Sequence, residues 1–535
     1  MNKHCYRIVF NKTRGLLMAV AETVVGRGKA SGETTGNAVA PGSAPCGALL
    51  VTVRALTFGV WLALGLVMWP AVGQAQIAAD QNAPANQRPT VLNTANGVPQ
   101  VNIQTPSAAG VSRNTYSRFD VQQQGAILNN SHTDAQTQLG GWVQGNPWLA
   151  NGTARVILNE VNSSNPSLLR GYVEVAGSRA QVVIANPSGV TCDGCGFINA
   201  DRATLTTGTP IFSGGNLDGY RVQGGAITIT GAGLDASRAD YTDLIARSVQ
   251  TNAGIWANQL KVTVGANQVD ADHTTATPIA GTGAAPAFAI DVAQLGGMYA
   301  GKITLVGTEA GVGVRNAGNI GASAGEVIVT AEGRLENAGR ITSTSHTQID
   351  SNAGIQNSGT IYAQANANLG TRGNIDNSGV IAAFGDATLA ATGPNSLIAS
   401  TSGSVLGAGV QTDGSLGASG ALNINATQTL AAQGQNLSGG DQTLAAQTIN
   451  LSGSQTSASS IRLSAAQGDV NLIGATISAS QTLTANAGRT LRTDNAKISA
   501  TQINASANDL SNAHGEIIQV GSGDMTLNLP GNLDN

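Results

Sequence analysis

Past residue 300 the chain repeats a short pattern of aliphatic and polar positions about every 20 residues. The rule is aliphatic, any residue, asparagine, small residue, glycine, any residue, aliphatic (isoleucine in every copy), and successive glycines are separated by 21, 20 and 20 residues. The four copies occupy residues 314–320, 335–341, 355–361 and 375–381. Looser pairs of aliphatic residues, each pair separated by one residue, follow at 422–424, 449–451, 461–463 and 470–472.

Aliphatic residues two positions apart point to the same side of a β-strand, so each copy predicts a strand with one inward face. One turn of chain buries too little apolar surface to be stable alone, but stacked turns bury it as continuous columns. The pattern predicts an all-β fold, a right-handed, single-stranded parallel β-helix (a solenoid). The glycines are expected to supply a positive φ at a corner. The asparagines are expected to form a hydrogen-bonded ladder, namely Asn316, Asn337, Asn357 and Asn377.

Residues 76–301 consist of short apolar runs separated by Gly, Asn, Pro and Ser, with scarcely any helical periodicity. Residues 180–185 are typical of a buried strand, and residues 186–189 of the turn that follows it. Such pieces predict a solenoid, a sandwich or a barrel. Leucine-rich repeats would need far more leucine, and calcium-binding nonapeptide repeats would need Gly-Gly-x-Gly-x-Asp in series, which the sequence lacks.

The first 75 residues have the pattern of an export signal. An apolar core at 56–69 has the length of a signal peptide and is short for a membrane-spanning helix. Small residues near its end predict cleavage after Ala75, with Gln76 as the new N-terminus. The alternative is an uncleaved membrane anchor. Export predicts a periplasmic passage and an environment in which disulfides form.

Composition excludes several classes of function. Charged residues are only 11% of the chain and the net charge is −4, so we expect no nucleic-acid binding, which needs clustered Lys and Arg. No Walker loop is present, and we predict no enzyme, no catalytic residue, no cofactor and no metal. A polysaccharide lyase is the remaining enzyme alternative. It would need carboxylates in phase on successive coils, whereas Glu336 and Asp376 do not recur in phase.

Two cysteines, Cys192 and Cys195, follow the predicted cleavage site and leave three chemistries open. A structural disulfide is favoured by the oxidising compartment. Zinc would require two further ligands, and the histidines show no paired spacing. A redox-active pair would need a helix N-terminus to lower the thiol pKa, which this β-rich context does not offer. Reduced thiols remain a further alternative.

The same region carries a family resemblance. Asn186-Pro187-Ser188-Gly189 precedes Cys192-Asp193-Gly194-Cys195, and Asn146-Pro147-Trp148-Leu149 lies upstream. These segments resemble the signature of the two-partner secretion domain of filamentous haemagglutinins, whose usual motifs are Asn-Pro-Asn-Gly and Asn-Pro-Asn-Leu. Serine at the third position retains a side chain that forms turn hydrogen bonds, whereas tryptophan does not. Residues 1–22 likewise resemble the extended signal peptide of very large Gram-negative exoproteins.

The resemblance implies an extended signal peptide at 1–75, a β-helical secretion (haemagglutination activity) domain at 76–301 and haemagglutinin-type repeats at 302–535. It implies export across the outer membrane by a β-barrel partner of the Omp85 (TpsB) type with POTRA domains. Secretion through the periplasm to the medium or the cell surface follows. The two Asn-Pro motifs either hold turns together or contact this transporter, and the alternatives are not exclusive.

The expected function is that of a secreted or cell-surface adhesin, a virulence factor that binds a receptor on host cells or other bacteria. The alternative is the N-terminal stalk of a contact-dependent growth inhibition toxin or haemolysin that lacks its C-terminal effector. A delivery protein would carry a compact toxin domain behind its repeats, whereas residues 529–535 still have the character of a repeat. This favours the adhesin.

Overall fold

The computed structural model describes residues 6–11, 16–21 and 76–535. The chain divides into two units, Met1–Val72 and Gly73–Asn535. In the first unit, strands Tyr6–Asn11 and Leu16–Ala21 pair as an antiparallel hairpin.

The export-signal predictions fall largely on residues that the structure does not describe. The apolar core at 56–69 and Ala75 lie outside the described residues, and Gln76 is the first described residue of the second unit. Within the described ranges, the structure contains no helix with the length and apolar character required to cross a membrane.

Residues 76–535 form a parallel β-solenoid of about 17 turns, which confirms the predicted fold class. A regular turn contains three short strands, and each strand pairs in parallel with the equivalent strands of the turns before and after it. The three stacks of strands are here named the first, second and third faces, in chain order within a turn. The turn at 335–351 shows the arrangement, with Leu335–Asn337 on the first face, Arg340–Ser343 on the second and Thr347–Ser351 on the third.

The strands of the first face are Ser167–Leu169, Ser248–Thr251, Phe288–Val292, Gly313–Asn316, Leu335–Asn337, Ile355–Asn357, Ile375–Asn377, Leu397–Ser400, Thr429–Ala432, Thr448–Asn450, Val470–Asn471, Thr490–Arg492, Asp509–Ser511 and Leu533–Asp534. Those of the second face are Pro99–Asn102, Ala126–Asn130, Tyr172–Gly177, Asn319–Ala322, Arg340–Ser343, Thr360–Ala363, Val380–Ala383, Val405–Ala408, Gln435–Ser438, Gln455–Ala458 and Glu516–Gln519. Those of the third face are Val111–Phe119, Val156–Val161, Ala180–Ala185, Ala200–Thr206, Tyr241–Ala246, Val327–Ala331, Thr347–Ser351, Ala367–Thr371, Ala387–Ala391, Leu422–Ala426, Gln442–Ala446, Ile461–Ala465 and Thr526–Asn528.

Six longer strands continue through a corner and belong to two faces. Val190–Ile198 and Ala226–Ala236 run from the first face to the second. Those that run from the second face to the third are Gly254–Val264, Gly297–Gly307, Thr476–Ala487 and Lys497–Ser506. Since Gly297–Gly307 pairs with strands on both of its sides, the solenoid continues without a break through residue 301.

Several elements lie outside the three faces. Ile77–Ala79 and Thr90–Asn93 pair antiparallel with strands of the first turn. The hairpin Ala135–Thr137 and Gly141–Val143 projects from the solenoid. A separate four-stranded antiparallel sheet consists of Thr209–Ser213, Asn216–Val222, Asn267–Asp270 and Ala276–Pro278. Two single turns of 3-10 helix occur at Ala85–Gln87 and Pro147–Leu149.

The core consists of aliphatic columns along the solenoid axis. On the first face Val314, Leu335, Ile355 and Ile375 lie in register on successive turns, and all are buried. The looser pairs at 422–424 and 461–463 lie on the third face, whereas those at 449–451 and 470–472 lie on the first. Because each turn covers the apolar surface of its neighbour, stability depends on stacking.

The glycines of the repeat have a role that differs from the predicted one. The expectation of a positive φ is wrong. None of the four repeat glycines has a positive φ, namely Gly318, Gly339, Gly359 and Gly379. The requirement is instead one of space. A Cβ added to Gly359 would lie 2.0 Å from the carbonyl oxygen of Gly339 on the preceding turn. Only hydrogen fits at this corner, because the backbones of successive turns approach too closely for a side chain.

Candidate functional site

The Asn186-Pro187 motif forms a tight turn that its asparagine ties to the preceding turn of the solenoid. The Asn186 Oδ1 accepts a hydrogen bond from the Ser188 N–H at 2.9 Å, and its Nδ2 donates to the Asn165 carbonyl and the Ser167 hydroxyl, both at 3.0 Å. Gly189 has a φ of +119°, which favours glycine at this position. Asn186 therefore determines both the local turn and its register against the neighbouring coil.

Ser188 uses its hydroxyl differently from the expected turn bond. Its Oγ donates to the Ser163 carbonyl at 2.7 Å, which is a bond to the preceding turn of chain. The Asx-type turn itself needs only the backbone N–H of residue 188, so a serine at this position leaves the turn intact.

The Asn146-Pro147 motif has the same geometry. Asn146 Oδ1 accepts from the Trp148 N–H at 3.0 Å, while its Nδ2 donates to the carbonyls of Ile103 and Asn129, both at 2.9 Å. Pro147 begins a 3-10 turn that buries Leu149 in the core. Since the bond at residue 148 uses the main chain, the tryptophan side chain does not prevent the turn, and its indole N–H donates to the Thr90 hydroxyl at 3.3 Å.

Burial separates the two parts of each motif. Asn146 and Asn186 are 1% and 0% exposed, so their side chains have no surface to offer a partner of the folded protein. Pro147, Trp148 and Pro187 are exposed. A direct contact with a folded secretion domain would therefore use the prolines and Trp148, which the asparagines hold in position.

Sequence reasoning missed further asparagines that join coils in the same way. Asn130 accepts from the Ala154 N–H at 2.8 Å and donates to the Ala154 and Ser178 carbonyls, both at 2.9 Å. Asn159 donates to the Val183 carbonyl and accepts from the Tyr116 hydroxyl. Both are fully buried, and their position within apolar strand runs is the one signal that could have identified them.

Cys192 and Cys195 are joined by a disulfide, with their Cα atoms 5.3 Å apart. The bond lies where Val190–Ile198 passes from the first face to the second, and the pairing of this strand with Ala226–Ala236 shifts register there. Both sulfurs are buried in the core. The disulfide therefore fixes an irregular corner, and its two sulfurs are not accessible for redox exchange.

The four repeat asparagines form a continuous ladder. Asn316 Nδ2 donates to Asn337 Oδ1 at 2.8 Å, Asn337 Nδ2 to Asn357 Oδ1 at 2.7 Å, and Asn357 Nδ2 to Asn377 Oδ1 at 2.8 Å. Asn377 Nδ2 then donates to the Ser400 hydroxyl at 3.3 Å. At the other end the buried Asn316 Oδ1 has no hydrogen-bond partner.

A buried ion pair holds residues 279–283 against the solenoid. Arg247 donates to both carboxylate oxygens of Glu309 at 2.8 and 3.1 Å, and the Ala266 N–H donates to the same carboxylate at 3.1 Å. Arg247 also donates to the Thr282 carbonyl. The hydrogen bonds from Arg247 lower the pKa of the Glu309 carboxyl below its ordinary value of 4.5.

In the part of the chain that the structure describes, no three His, Cys, Asp or Glu side chains come together as a possible metal site. The site thus consists of turns and ladders that join one coil to the next, and of a disulfide that fixes a corner within one coil.

Two family models match the sequence. The TPS secretion domain matches residues 75–337, and the Extended Signal Peptide of Type V secretion system matches residues 1–51. The first match includes both Asn-Pro motifs and the disulfide, and it continues past residue 301 to the second repeat asparagine.

Known proteins with similar sequences are much longer. The chain is 51% identical over 545 residues to Toxin CdiA of Yersinia pestis, a match that covers 100% of the chain and 16% of that protein. It is 46% identical over 505 residues to tRNA nuclease CdiA-2 of Burkholderia pseudomallei strain 1026b, covering 94% of the chain and 16% of the relative. The crystal structure of a filamentous hemagglutinin secretion domain is 31% identical, with 99% of that chain and 61% of this one covered and a TM-score of 0.45.

Proposed function

Because the chain belongs to the family of two-partner secretion exoproteins related to filamentous haemagglutinin, we propose that an outer-membrane transporter of the Omp85 type, with POTRA domains, recognises its secretion domain. The extended signal peptide and the secretion domain direct export through the periplasm to the cell surface. The observation that carries the transporter proposal is the pair of Asn-Pro turns, which expose Pro147, Trp148 and Pro187 within the matched domain.

The architecture suits export of an unfolded chain. Each turn of a solenoid contacts only its neighbours, so folding propagates from a nucleus one turn at a time. The strands Ile77–Ala79 and Thr90–Asn93 pair antiparallel with the first turn, and we propose that they supply such a nucleus. We propose that turns added outside the outer membrane prevent the chain from sliding back.

The transporter contact is tested by two substitutions with different expected signatures. Trp148→Ala removes an exposed side chain and should lower the secreted fraction while circular dichroism of the purified domain stays unchanged. Asn186→Ala should lower both secretion and stability, because it leaves the Ser188 N–H and the Ser167 hydroxyl without their partner. Trp142→Ala, on an exposed hairpin, serves as the control. Normal secretion of the Trp148 variant would contradict the proposed contact.

We propose that the whole protein is an adhesin, in which the solenoid projects from the cell and binds a receptor on host cells or other bacteria. Support comes from the continuous stack of turns and from the low charged fraction of the chain, which suits a shaft that presents binding surfaces without self-repulsion. The proposal contains no catalytic step for this chain. The relatives named as nucleases match it over 16% of their length or less.

The second candidate function is that of a toxin-delivery stalk, and the names of the relatives favour it, since one that matches the entire chain is called a toxin. Bacteria producing the complete gene product should be mixed with sensitive cells, and cell–cell binding and target survival measured together. Binding without target death supports the adhesin. Death that requires contact and is prevented by a protein encoded beside the gene supports the stalk.

A further inference from the structure

Two large aromatic side chains lie next to each other on the outside of the second face. Trp256 and Tyr299 occupy paired positions on successive turns, their ring centroids are 6.3 Å apart, and the ring planes differ by only 19°. They are 44% and 41% exposed. Aromatic residues make up 4% of the chain, so two neighbouring exposed rings form an unusual surface for this protein.

Glycines fix the orientation of both rings. A Cβ on Gly254 would lie 2.5 Å from the ring of Trp256, and a Cβ on Gly297 would lie 2.7 Å from the ring of Tyr299. Each glycine precedes its aromatic residue by two positions and therefore faces the same side of the strand. The rings rest against the backbone of their own strands, which positions them before any ligand arrives.

The two rings border an open groove, here called the aromatic groove, with a volume of about 570 Å³. The next outward positions along the solenoid are Gly321 and Thr342, which provide a low floor beside Tyr299. Hydroxyl and amide groups of Ser237, Asn319, Ser323 and Thr342 contribute polar edges, and no charged residue lines the groove.

A second groove continues the first one, since the two share Ala322 and Thr342. It extends to Tyr362, where the hydroxyl donates to the Val410 carbonyl at 3.1 Å and holds a surface loop at the far end. The path from Trp256 to Tyr362 covers four steps between paired strands. At about 4.8 Å per step it is roughly 19 Å long, enough for several sugar units.

The chemistry of the groove favours one ligand class. Sulfated or other polyanionic chains need clustered cations, whereas no cation lines the aromatic groove and the second groove has a single arginine, Arg340, together with Asp413. An extended peptide gains affinity by pairing with a free strand edge, but the strands beneath the rings are already paired on both sides. A pyranose ring needs neither clustered cations nor a free strand edge. Its C–H face packs on the electron-rich face of an aromatic ring, and its hydroxyls form hydrogen bonds with Ser, Thr and Asn.

We propose that the aromatic groove binds a linear, uncharged, β-linked oligosaccharide, whose flat ribbon matches the flat face of the solenoid. The proposal names the class of ligand that the proposed adhesin would bind. Only its biological role rests on the adhesin function. Binding by the purified chain is an independent property.

The test is calorimetric titration of the secreted chain with chitohexaose and cellohexaose, with maltohexaose, a heparin hexasaccharide and an extended peptide as comparisons. At least one β-linked hexasaccharide should bind with a Kd of about 1 mM or tighter. Trp256→Ala should weaken binding at least about tenfold, and Trp142→Ala, which changes an exposed tryptophan elsewhere, should leave it unchanged.

A variant that leaves the aromatic residues in place keeps the test independent of folding. A Cβ on Gly321 meets no atom closer than 3.5 Å, so a side chain begins there without a clash. We expect Gly321→Val to fold, which circular dichroism checks, and to block the groove floor. The proposal is overturned by absence of binding to both β-linked probes, by preference for heparin, maltohexaose or the peptide, or by unchanged binding in both variants. Binding that persists while displaying cells fail to adhere contradicts the adhesin and not the groove.

Discussion

Asn357 lies in the interior of the asparagine ladder, and its replacement by alanine should destabilise the turns around it. Its Oδ1 accepts from Asn337 at 2.7 Å, and its Nδ2 donates to Asn377 at 2.8 Å. Alanine at this position leaves one donor and one acceptor without their ladder partners in a buried corner. At about 1–3 kcal/mol for each unsatisfied group, reduced by the longer bond that Asn337 keeps to the Thr360 carbonyl, we expect a loss of about 2–4 kcal/mol.

The ladder end gives an internal comparison. Asn316 already has an unpaired Oδ1, so Asn316→Ala removes one unsatisfied group while it creates another at Asn337 Oδ1. Its cost should therefore be clearly smaller than that of Asn357→Ala. Asn368→Ala, at an exposed position of the third face, serves as the control and should change stability by less than about 0.5 kcal/mol.

Hydrogen–deuterium exchange is the appropriate assay, because a solenoid opens locally and its unfolding is not a single transition. Amides of 335–383 in the Asn357 variant should exchange about 30- to 700-fold faster, which corresponds to the expected free-energy loss. Equal exchange in the Asn357 and Asn368 variants would refute the reasoning, since the ladder would then only fill space.

Three further predictions concern a glycine corner, the disulfide and the Arg247–Glu309 ion pair. Gly359→Ala should destabilise its corner, because the new Cβ would collide with the preceding turn, whereas Gly403→Ala meets no atom within 4 Å and should be neutral in thermal melts. Replacing Cys192 and Cys195 with alanine should lower the free energy of unfolding by about 2 kcal/mol through lost loop-closure entropy. In the native protein under reductant the two cysteines should resist thiol labelling, and rapid labelling would contradict their burial. The Glu309 carboxylate has a lowered pKa when folded, so its stabilisation is present above the ordinary value of 4.5 and is lost as pH falls through the lower folded pKa. Exchange at 279–283 should rise in acid for the native chain, and Glu309→Gln should abolish that dependence.

The regular part of the fold was predictable because its sequence repeats. Val314, Leu335, Ile355 and Ile375 recur with the period of one turn, and that period predicts columns as soon as strands are assumed to stack. The repeat pattern predicts glycine at the corner but not the reason for it, since a positive φ and a lack of space select the same residue. The structure distinguishes the two reasons, because a Cβ added at Gly359 would lie 2.0 Å from the carbonyl oxygen of Gly339.

The irregular part could not be obtained from pattern alone. The strands Thr209–Ser213 and Asn216–Val222 are short apolar runs like those of the coils, but they leave the solenoid and pair with each other, and the second also pairs with Asn267–Asp270. Alternation defines which side chains share a face, not which strand is the neighbour. The buried role of Asn130 was hidden for a related reason, because asparagine is common in turns and its burial depends on the adjacent coils.

The most direct test of the solenoid is a distance between two spin labels on its first face. Gln356 and Arg492 both point outward and are related by six consecutive steps of strand pairing. At about 4.8 Å per step, cysteines introduced and labelled at these positions should give a backbone separation of roughly 29 Å by electron–electron double resonance. A broad distribution, or a distance that does not shorten in proportion when the second label is moved to Asn450, would contradict a single axis of stacked turns.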